Sequence, residues 1–491
     1  MTPSHLNRRQ FLGQTGCAAL GTTGLLSTLL NVGLASRVMA ADEQSDYKAM
    51  VCIFLMGGND SFNMLAPANA DEYAYYLTTR GGLYDVDKTP NGMAIGAPGS
   101  GGFSFLPIQP TNIPGRSFGL HPSMPEFKDL FEKQNLAFVA NVGSLQKPFS
   151  NVAAYKDDSA DHPLGLFSHS DQQQQWQTCM PDKRSSIGWA GRAMDILQNI
   201  QSRAQKSTFN ISLSGTNVFQ TGNTIAPYTL SVNGLVPLEG YYPTGPKSNS
   251  LVDQANYSRS QALNQLLGGM YHNVFESTYA QATIDAENSL TQYQESLSTD
   301  RYPAWSPAQD SVFEKQLKLI ANVIAAYKDS PTKRQTFFVT IGRYDMHKNL
   351  MSLHPGELAN LSSSIGKFWA NLPDDVKPAV TLFSASDFGR TLTGNGNGTD
   401  HAWGGNQFVL GGAVKGQQIY GTYPTFAADV MSSTFDVGQG RLIPSYSVEE
   451  YVYPILKWFG VSDNDLFGAV FPGYAARFGT GGIRATYPLY G

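Results

Sequence analysis

Cysteine is scarce in this chain, with three in 491 residues, and one of them, Cys17, falls near the N-terminus. That count excludes a cysteine-rich metal framework. Cys52 lies in an apolar run and Cys179 far along the chain. The two can pair in an oxidising compartment or remain as separate buried thiols. A basic run is also missing. Lys and Arg number 34 against 39 Asp and Glu, and the formal charge of -5 is spread along the chain. Nucleic acid is therefore a poor partner. No dinucleotide-type glycine fingerprint follows a strand-like run, which leaves a nicotinamide-dependent oxidoreductase without support. After the N-terminal segment, no stretch is long and apolar enough to predict a membrane span.

What is present begins with residues 1–40. Arg8 and Arg9 stand in Asn7-Arg8-Arg9-Gln10-Phe11-Leu12, a Gly-rich, mildly apolar stretch runs from Cys17 to Leu34, and Val38-Met39-Ala40 offers small residues to a signal peptidase. This order predicts a cleavable twin-arginine signal, with Ala41 as the new N-terminus. Gly, Ser, Thr and Asn interrupt the apolar stretch, so it is a poor permanent anchor. The expectation is passage through the twin-arginine translocase to a periplasmic or secreted location, with no permanent membrane span. Residues 41–491 then form one large domain.

Three continuous apolar runs predict strands covered on both faces: Met50–Met56, Thr336–Ile341 and Ala379–Ser384, with Leu136–Val142 as a fourth. Helices are expected between them. Ser306-Pro307-Ala308-Gln309 has the form of a capping box ahead of Val312, Phe313, Leu317, Ile320, Val323 and Ile324 at helical spacing. Others are expected over Gly356–Leu372, from Ser447 with Glu450 closing a second box, and over Arg184–Ala204 and Asn256–Leu297. The alternation implies an α/β fold with a mostly parallel central sheet and helices on both faces. Thr89–Gly119 is expected as a long surface loop, Gly394–Gly398 as a flexible loop, and residues near 205–245 as a small side sheet or cap.

In an open parallel sheet, ligands bind beyond the carboxyl ends of the strands. The three strongest strands lead into Asp60, into Asp345 and His347, and into Asp387, while Asp400-His401 follows within the glycine loop. Carboxylates gathered at one edge repel unless a cation joins them. Carboxylate oxygens mixed with imidazole nitrogens suit a divalent ion such as zinc or manganese. Asp60, Asp345, His347, Asp387 and His401 are accordingly the candidate metal ligands. Taken singly, each Asp also has an ordinary use as a turn former or helix cap, Asp60 for a helix opening at Ser61.

The segments Gly57-Gly58-Asn59-Asp60, Tyr344-Asp345-Met346-His347, Asp387-Phe388-Gly389-Arg390-Thr391, Gly398-Thr399-Asp400-His401-Ala402-Trp403-Gly404 and Val409–Gly416 resemble the marks of the domain-of-unknown-function family 1501. That family is uncharacterised in activity and is placed in the alkaline phosphatase-like superfamily, beside sulfatases and phosphodiesterases. The resemblance covers nearly all of the mature chain. It implies an alkaline phosphatase-like fold and metal-assisted hydrolysis of a sulfate or phosphate ester, in a small molecule or a polysaccharide. The cofactor would be a divalent metal: zinc, manganese or calcium. Asp60, Asp345, His347 and His401 match ligand positions, Asp387 matches a ligand to a second metal, and Asp400 would orient His401. Phe388 departs from the pattern, standing where a second-metal His would be, so a second metal is either absent or weakly held by Asp60 and Asp387 with water, and a single-ion site is an option. Ser168, opening a helix, is the expected nucleophile with His169 as acid, base or ligand. Arg390 would clamp the substrate anion. Cys179-Met180-Pro181-Asp182-Lys183 nearly matches a sulfatase signature, but Lys183 replaces its Arg. His121 and His162 are expected to be packed or at the surface. The rival reading is a non-catalytic surface protein, for binding or assembly, that keeps at most a structural metal.

Overall fold

The computed structural model describes residues 47–491 except 158, 199–209, 233–239, 243, 270, 272, 274–275, 278–279, 281–282, 285–299 and 330–332. The expected signal segment lies outside the described residues, as do parts of the helices expected over 184–204 and 256–297. Within them, helices cover Trp189–Leu197 and Leu251–Leu267. No described helix is long and apolar enough to cross a membrane.

Twelve strands are described. They are β1 Lys48–Leu55, β2 Leu65–Pro67, β3 Leu106–Ile108, β4 Phe118–Leu120, β5 Leu136–Gly143, β6 Asn210–Ser212, β7 Tyr228–Thr229, β8 Arg334–Ile341, β9 Val380–Ser386, β10 Gly405–Gly411, β11 Ile419–Gly421 and β12 Tyr446–Ser447. Nine form the central sheet in the order β11-β5-β10-β9-β1-β8-β6-β7, with β12 also on β5. Every pairing is parallel except those of β10, which runs antiparallel between β5 and β9. The fold is therefore α/β with a mostly parallel sheet.

The apolar runs are continuous because both sheet faces are covered. Along β1, Ala49, Val51, Ile53 and Leu55 enter one core, and Met50, Cys52 and Phe54 enter the other. The first core is closed by the helices Val312–Ala325, Leu350–Asn371 and Pro125–Glu132. The second is closed by Trp189–Leu197 and Val448–Phe459. Full burial of each large apolar side chain contributes roughly 1.5–3 kcal/mol. In β5 the alternation breaks at Asn141, whose φ of 54° is left-handed, and the register with β10 shifts at the same place. The extra residue sends Val142 to the second core, opposite to Ala140.

Several expectations need correction. The helix from Val312 is capped by Ser311, whose Oγ accepts the Glu314 N–H at 3.1 Å, and not by Ser306. The helix expected from Gly356 begins at Leu350 and carries Pro355 inside it. Segment 89–119 is not all loop, since β3 and part of β4 lie there and pair with β2 in a separate three-stranded sheet. The strand pieces near 205–245 do not make a side sheet: β6 pairs with β8 and prolongs the central one. The Ser447 box is formed as expected, with Glu450 Oε2 accepting the Ser447 N–H at 2.8 Å.

Register determines where the chemistry meets. Leu55 of β1 lies beside Ile341 of β8 and Ser386 of β9, so three parallel strands end level. Because β10 is antiparallel, its start at Gly405 reaches the same edge, opposite Val142 near the end of β5. Segments after β1, β5, β8 and β9, and the segment before β10, therefore converge.

Candidate metal centre

Two glycines allow the loops to close at this edge. Gly57 has φ +107°, and a Cβ there would sit 2.4 Å from the Asp345 backbone nitrogen. Gly58 has φ +84°, and a Cβ would sit 2.6 Å from the Phe388 ring. Only glycine accommodates both the left-handed backbone and the close approach. Between β9 and β10 the chain doubles back, with Arg390 and His401 bridged across from each other. Asn395 and Gly398 close the turn, and Asn397 is tied to the start of the helix Leu350–Asn371. The glycine loop expected to be flexible is thus a hydrogen-bonded hairpin turn.

At the centre stand His169, Asp345 and His401, each with a ligand atom within 4.8 Å of the others. His347 joins them: its Nε2 is 3.0 Å from His401 Nε2 and 3.0 Å from Asp345 Oδ1. His401 Nε2 is 3.3 Å from Asp345 Oδ1, and His169 Nε2 is 3.5 Å from Asp345 Oδ2. The Asp345 and His347 side chains are 45% and 42% exposed, so the cluster opens to solvent.

The other nitrogen of each imidazole faces an acceptor. His169 Nδ1 donates to Asp387 Oδ2 at 2.6 Å, His347 Nδ1 to Asp400 Oδ1 at 2.9 Å, and His401 Nδ1 to the Phe167 carbonyl at 2.9 Å. A carboxylate or carbonyl can only accept, so the tautomer with its proton on Nδ1 satisfies each outer acceptor and turns an Nε2 lone pair toward Asp345, where a cation would take the place of the missing proton. Three lone pairs and one carboxylate thus share one small space. Orientation of each ligating imidazole by an outer acceptor is the usual arrangement around a bound metal.

The electrostatics agree. Burial tends to raise the Asp345 carboxyl, but the Arg390 hydrogen bond and charge, with His347 and His169, outweigh it and hold the group below its ordinary value. Burial likewise opposes ionisation of Asp400, but His347 and Asn395 outweigh it. Burial lowers His401 below the ordinary imidazole value, and so favours its neutral form.

The remaining candidates have other places. Asp60 is buried, and Arg80 holds both of its oxygens, at 2.6 and 2.8 Å, so it is not free to ligate. It also caps the short helix Ser61–Met64, as its neighbouring serine suggested. Asp387 is buried and spends its oxygens on the Gly57 N–H, the Gln173 amide and His169 Nδ1. Its oxygens are thus engaged, and through Nδ1 it holds the His169 ring in place. Asp400 orients His347, where His401 was expected. Arg390 is buried and donates to Asp345, Gly57 O and Thr399, so it anchors a ligand and cannot reach a substrate. Ser168 precedes the helix His169–Thr178, and its Oγ is partnered by Ser170 with no base in hydrogen-bond reach among the described residues. Cys52 and Cys179 are both free and buried, and burial pushes both thiols up. His121 is buried, and His162 packs against Phe149 and Tyr155.

Sequence reasoning missed Arg80, Gln173 and Phe167. Phe167 has φ 70°, left-handed for a bulky residue. Such a residue costs of order 1–3 kcal/mol, and such strain gathers at functional sites. Here it turns the Phe167 carbonyl toward His401. Phe388 closes one side, its ring 4.8 Å from that of His169 and 4.6 Å from that of His401. A cavity of about 500 Å³ between Tyr453, Phe467 and Gly479–Ile483 includes none of these residues.

Residues 47–439 match the family described as Protein of unknown function (DUF1501). The chain belongs to that family. No curated protein matches it. Among solved structures, the chain is similar to the crystal structure of Ps i-CgsB in complex with k-i-k-neocarrahexaose, at 11% identity over 88% of this chain and 77% of that one. The TM-score is 0.30, too low to carry an argument about fold or ligand. The matched residues include Asp60, Asp345, Asp387 and His401, and DUF1501 membership assigns them no activity.

Proposed function

We propose that this DUF1501 protein is an exported, metal-dependent hydrolase of sulfate or phosphate esters with an alkaline phosphatase-like architecture. The observation that carries the proposal is the approach of the Nε2 atoms of His169, His347 and His401 to the Asp345 carboxylate, with the Nδ1 of each ring against a separate acceptor. The level strand ends and the mostly parallel sheet support the architecture, and the Arg8-Arg9 segment supports export to the periplasm or beyond. His169, His347, His401 and Asp345 would hold one divalent ion. Three nitrogens and a carboxylate suit zinc or manganese and make calcium, which prefers all-oxygen shells, a poor occupant. A bound ion supplies Lewis acidity toward an ester oxygen and lowers the pKa of water.

The chain's own groups do the rest. Arg390 draws on Asp345 Oδ1 and leaves Oδ2 turned toward His169. Asp387, Asp400 and the Phe167 carbonyl keep the three protons on Nδ1. Phe388 excludes water from one flank. Since no base reaches Ser168, water is the nucleophile in this reading.

One observation favours the non-catalytic alternative. Four side-chain donors would fill a tetrahedral shell, as in structural sites, whereas catalytic sites keep a position open. Metal analysis of protein purified without chelator, combined with turnover of aryl sulfates and aryl phosphates, separates the two. The hydrolase reading predicts one ion per chain and turnover that disappears with the ion in Asp345→Ala. A stoichiometric ion with no turnover of either ester class would favour the binding or assembly protein.

A further inference from the structure

Arg390 is unavailable to a substrate, so an anionic ester needs another cationic partner. Arg441 is partly exposed and reaches the backbone of His401 and the ring of Phe167. Its Nε donates to the His401 carbonyl at 3.1 Å, and its guanidinium lies 5.3 Å from the centre of the Phe167 ring. These are the ligand His401 and the residue whose carbonyl orients it. Several other described arginines are spent on partners. Arg80, Arg390, Arg477 and Arg484 pair with carboxylates, and Arg192 donates to backbone carbonyls. Arg441 forms no ion pair with any described carboxylate, and its two terminal nitrogens have no hydrogen-bond partner among the described residues.

We propose that the free fork of Arg441 binds the non-bridging oxygens of the substrate's sulfate or phosphate group. Two parallel N–H donors match two oxygens of such a group. Anchoring through Nε and the ring fixes the guanidinium beforehand, so little rotamer freedom is lost on binding. The half-buried rings of Phe149, Tyr155 and Phe167 belong to the same apolar cluster beside Arg441.

The inference rests on the hydrolase reading for its substrate but is tested by binding. Metal-loaded wild type, Arg441→Ala and Arg441→Lys are titrated calorimetrically with inorganic phosphate and with inorganic sulfate, with metal content and circular dichroism measured on each. The expected result is anion affinity lower by about 10–100-fold in Arg441→Ala, the loss of one charged hydrogen-bonding group, with metal content and fold unchanged. Arg441→Lys keeps the charge without the fork and should fall between. Equal anion affinity in wild type and Arg441→Ala, or no binding of either anion by wild type, overturns the proposal. If the affinity drop is seen but wild type turns over no ester, Arg441 stands as an anion-binding residue and the hydrolase reading fails alone.

Discussion

Asp60 and Asp345 follow adjacent parallel strands, β1 and β8, and sequence pattern alone gives them the same standing. Their surroundings differ in one respect. Asp60 is buried with a bidentate arginine from its own chain, so its charge is already balanced. Asp345 shares Arg390 through one oxygen, stays half exposed, and faces the Nε2 atoms of three imidazoles. The first site is a finished structural pair, and the second is the one we propose to take a cation.

The largest expected effect breaks the finished pair. Arg80→Ala strands a buried carboxylate and should destabilise the fold by about 3–5 kcal/mol. Denaturant unfolding measures it, and the folded fraction should still take up its ion. A destabilisation of Asp60→Asn/Arg80→Ala equal to that of Arg80→Ala would show that the unpaired charge is not the cause. The reciprocal change, His401→Ala, should leave the apoprotein about as stable and lower metal affinity by more than about 100-fold, beyond the loss typical of an orienting partner. Competition with a chromogenic chelator reads this directly.

Next in size is Asp387→Asn. Asp387 orients His169 and should not touch the ion, so affinity should fall by about 10–100-fold. Complete loss of binding would make it a ligand after all. An effect of similar size concerns acid. Burial pushes His354 down to about 4. The unfolded chain, with imidazole near 6.5, then binds the extra proton between those values. Stability of the apoprotein should fall as pH drops from about 6.5 to about 4 through this group. His354→Gln should flatten that part of the profile. Metal release in the same acid range adds to the effect in the loaded protein, because the ligating imidazoles must be neutral.

The strands β1, β5, β8 and β9 were legible because burial on both faces leaves an uninterrupted apolar run. The helix at Ser447 was legible because its cap is written in adjacent residues. β6 and β7 are too short to leave a period, and β10's antiparallel course is a matter of topology. In the site, Asp345, His347 and His401 could be read from strand ends and spacing. The roles of Asp60, Asp387 and Arg390 could not, because each depends on a partner brought in from elsewhere: Arg80 for the first, His169 for the second, Asp345 for the third. Ser168 was read from its helix start, a signal that carries no information about a nearby base.

The central claim is that His169, Asp345, His347 and His401 enclose one cation. A crystal structure of protein grown with zinc, with the metal located by anomalous scattering at the zinc edge, tests it most directly. The account predicts a single strong peak bonded to the three Nε2 atoms and the Asp345 carboxylate, with Asp60 still paired to Arg80. A peak seated on Asp60 and Asp387, or no peak between the imidazoles, would contradict it.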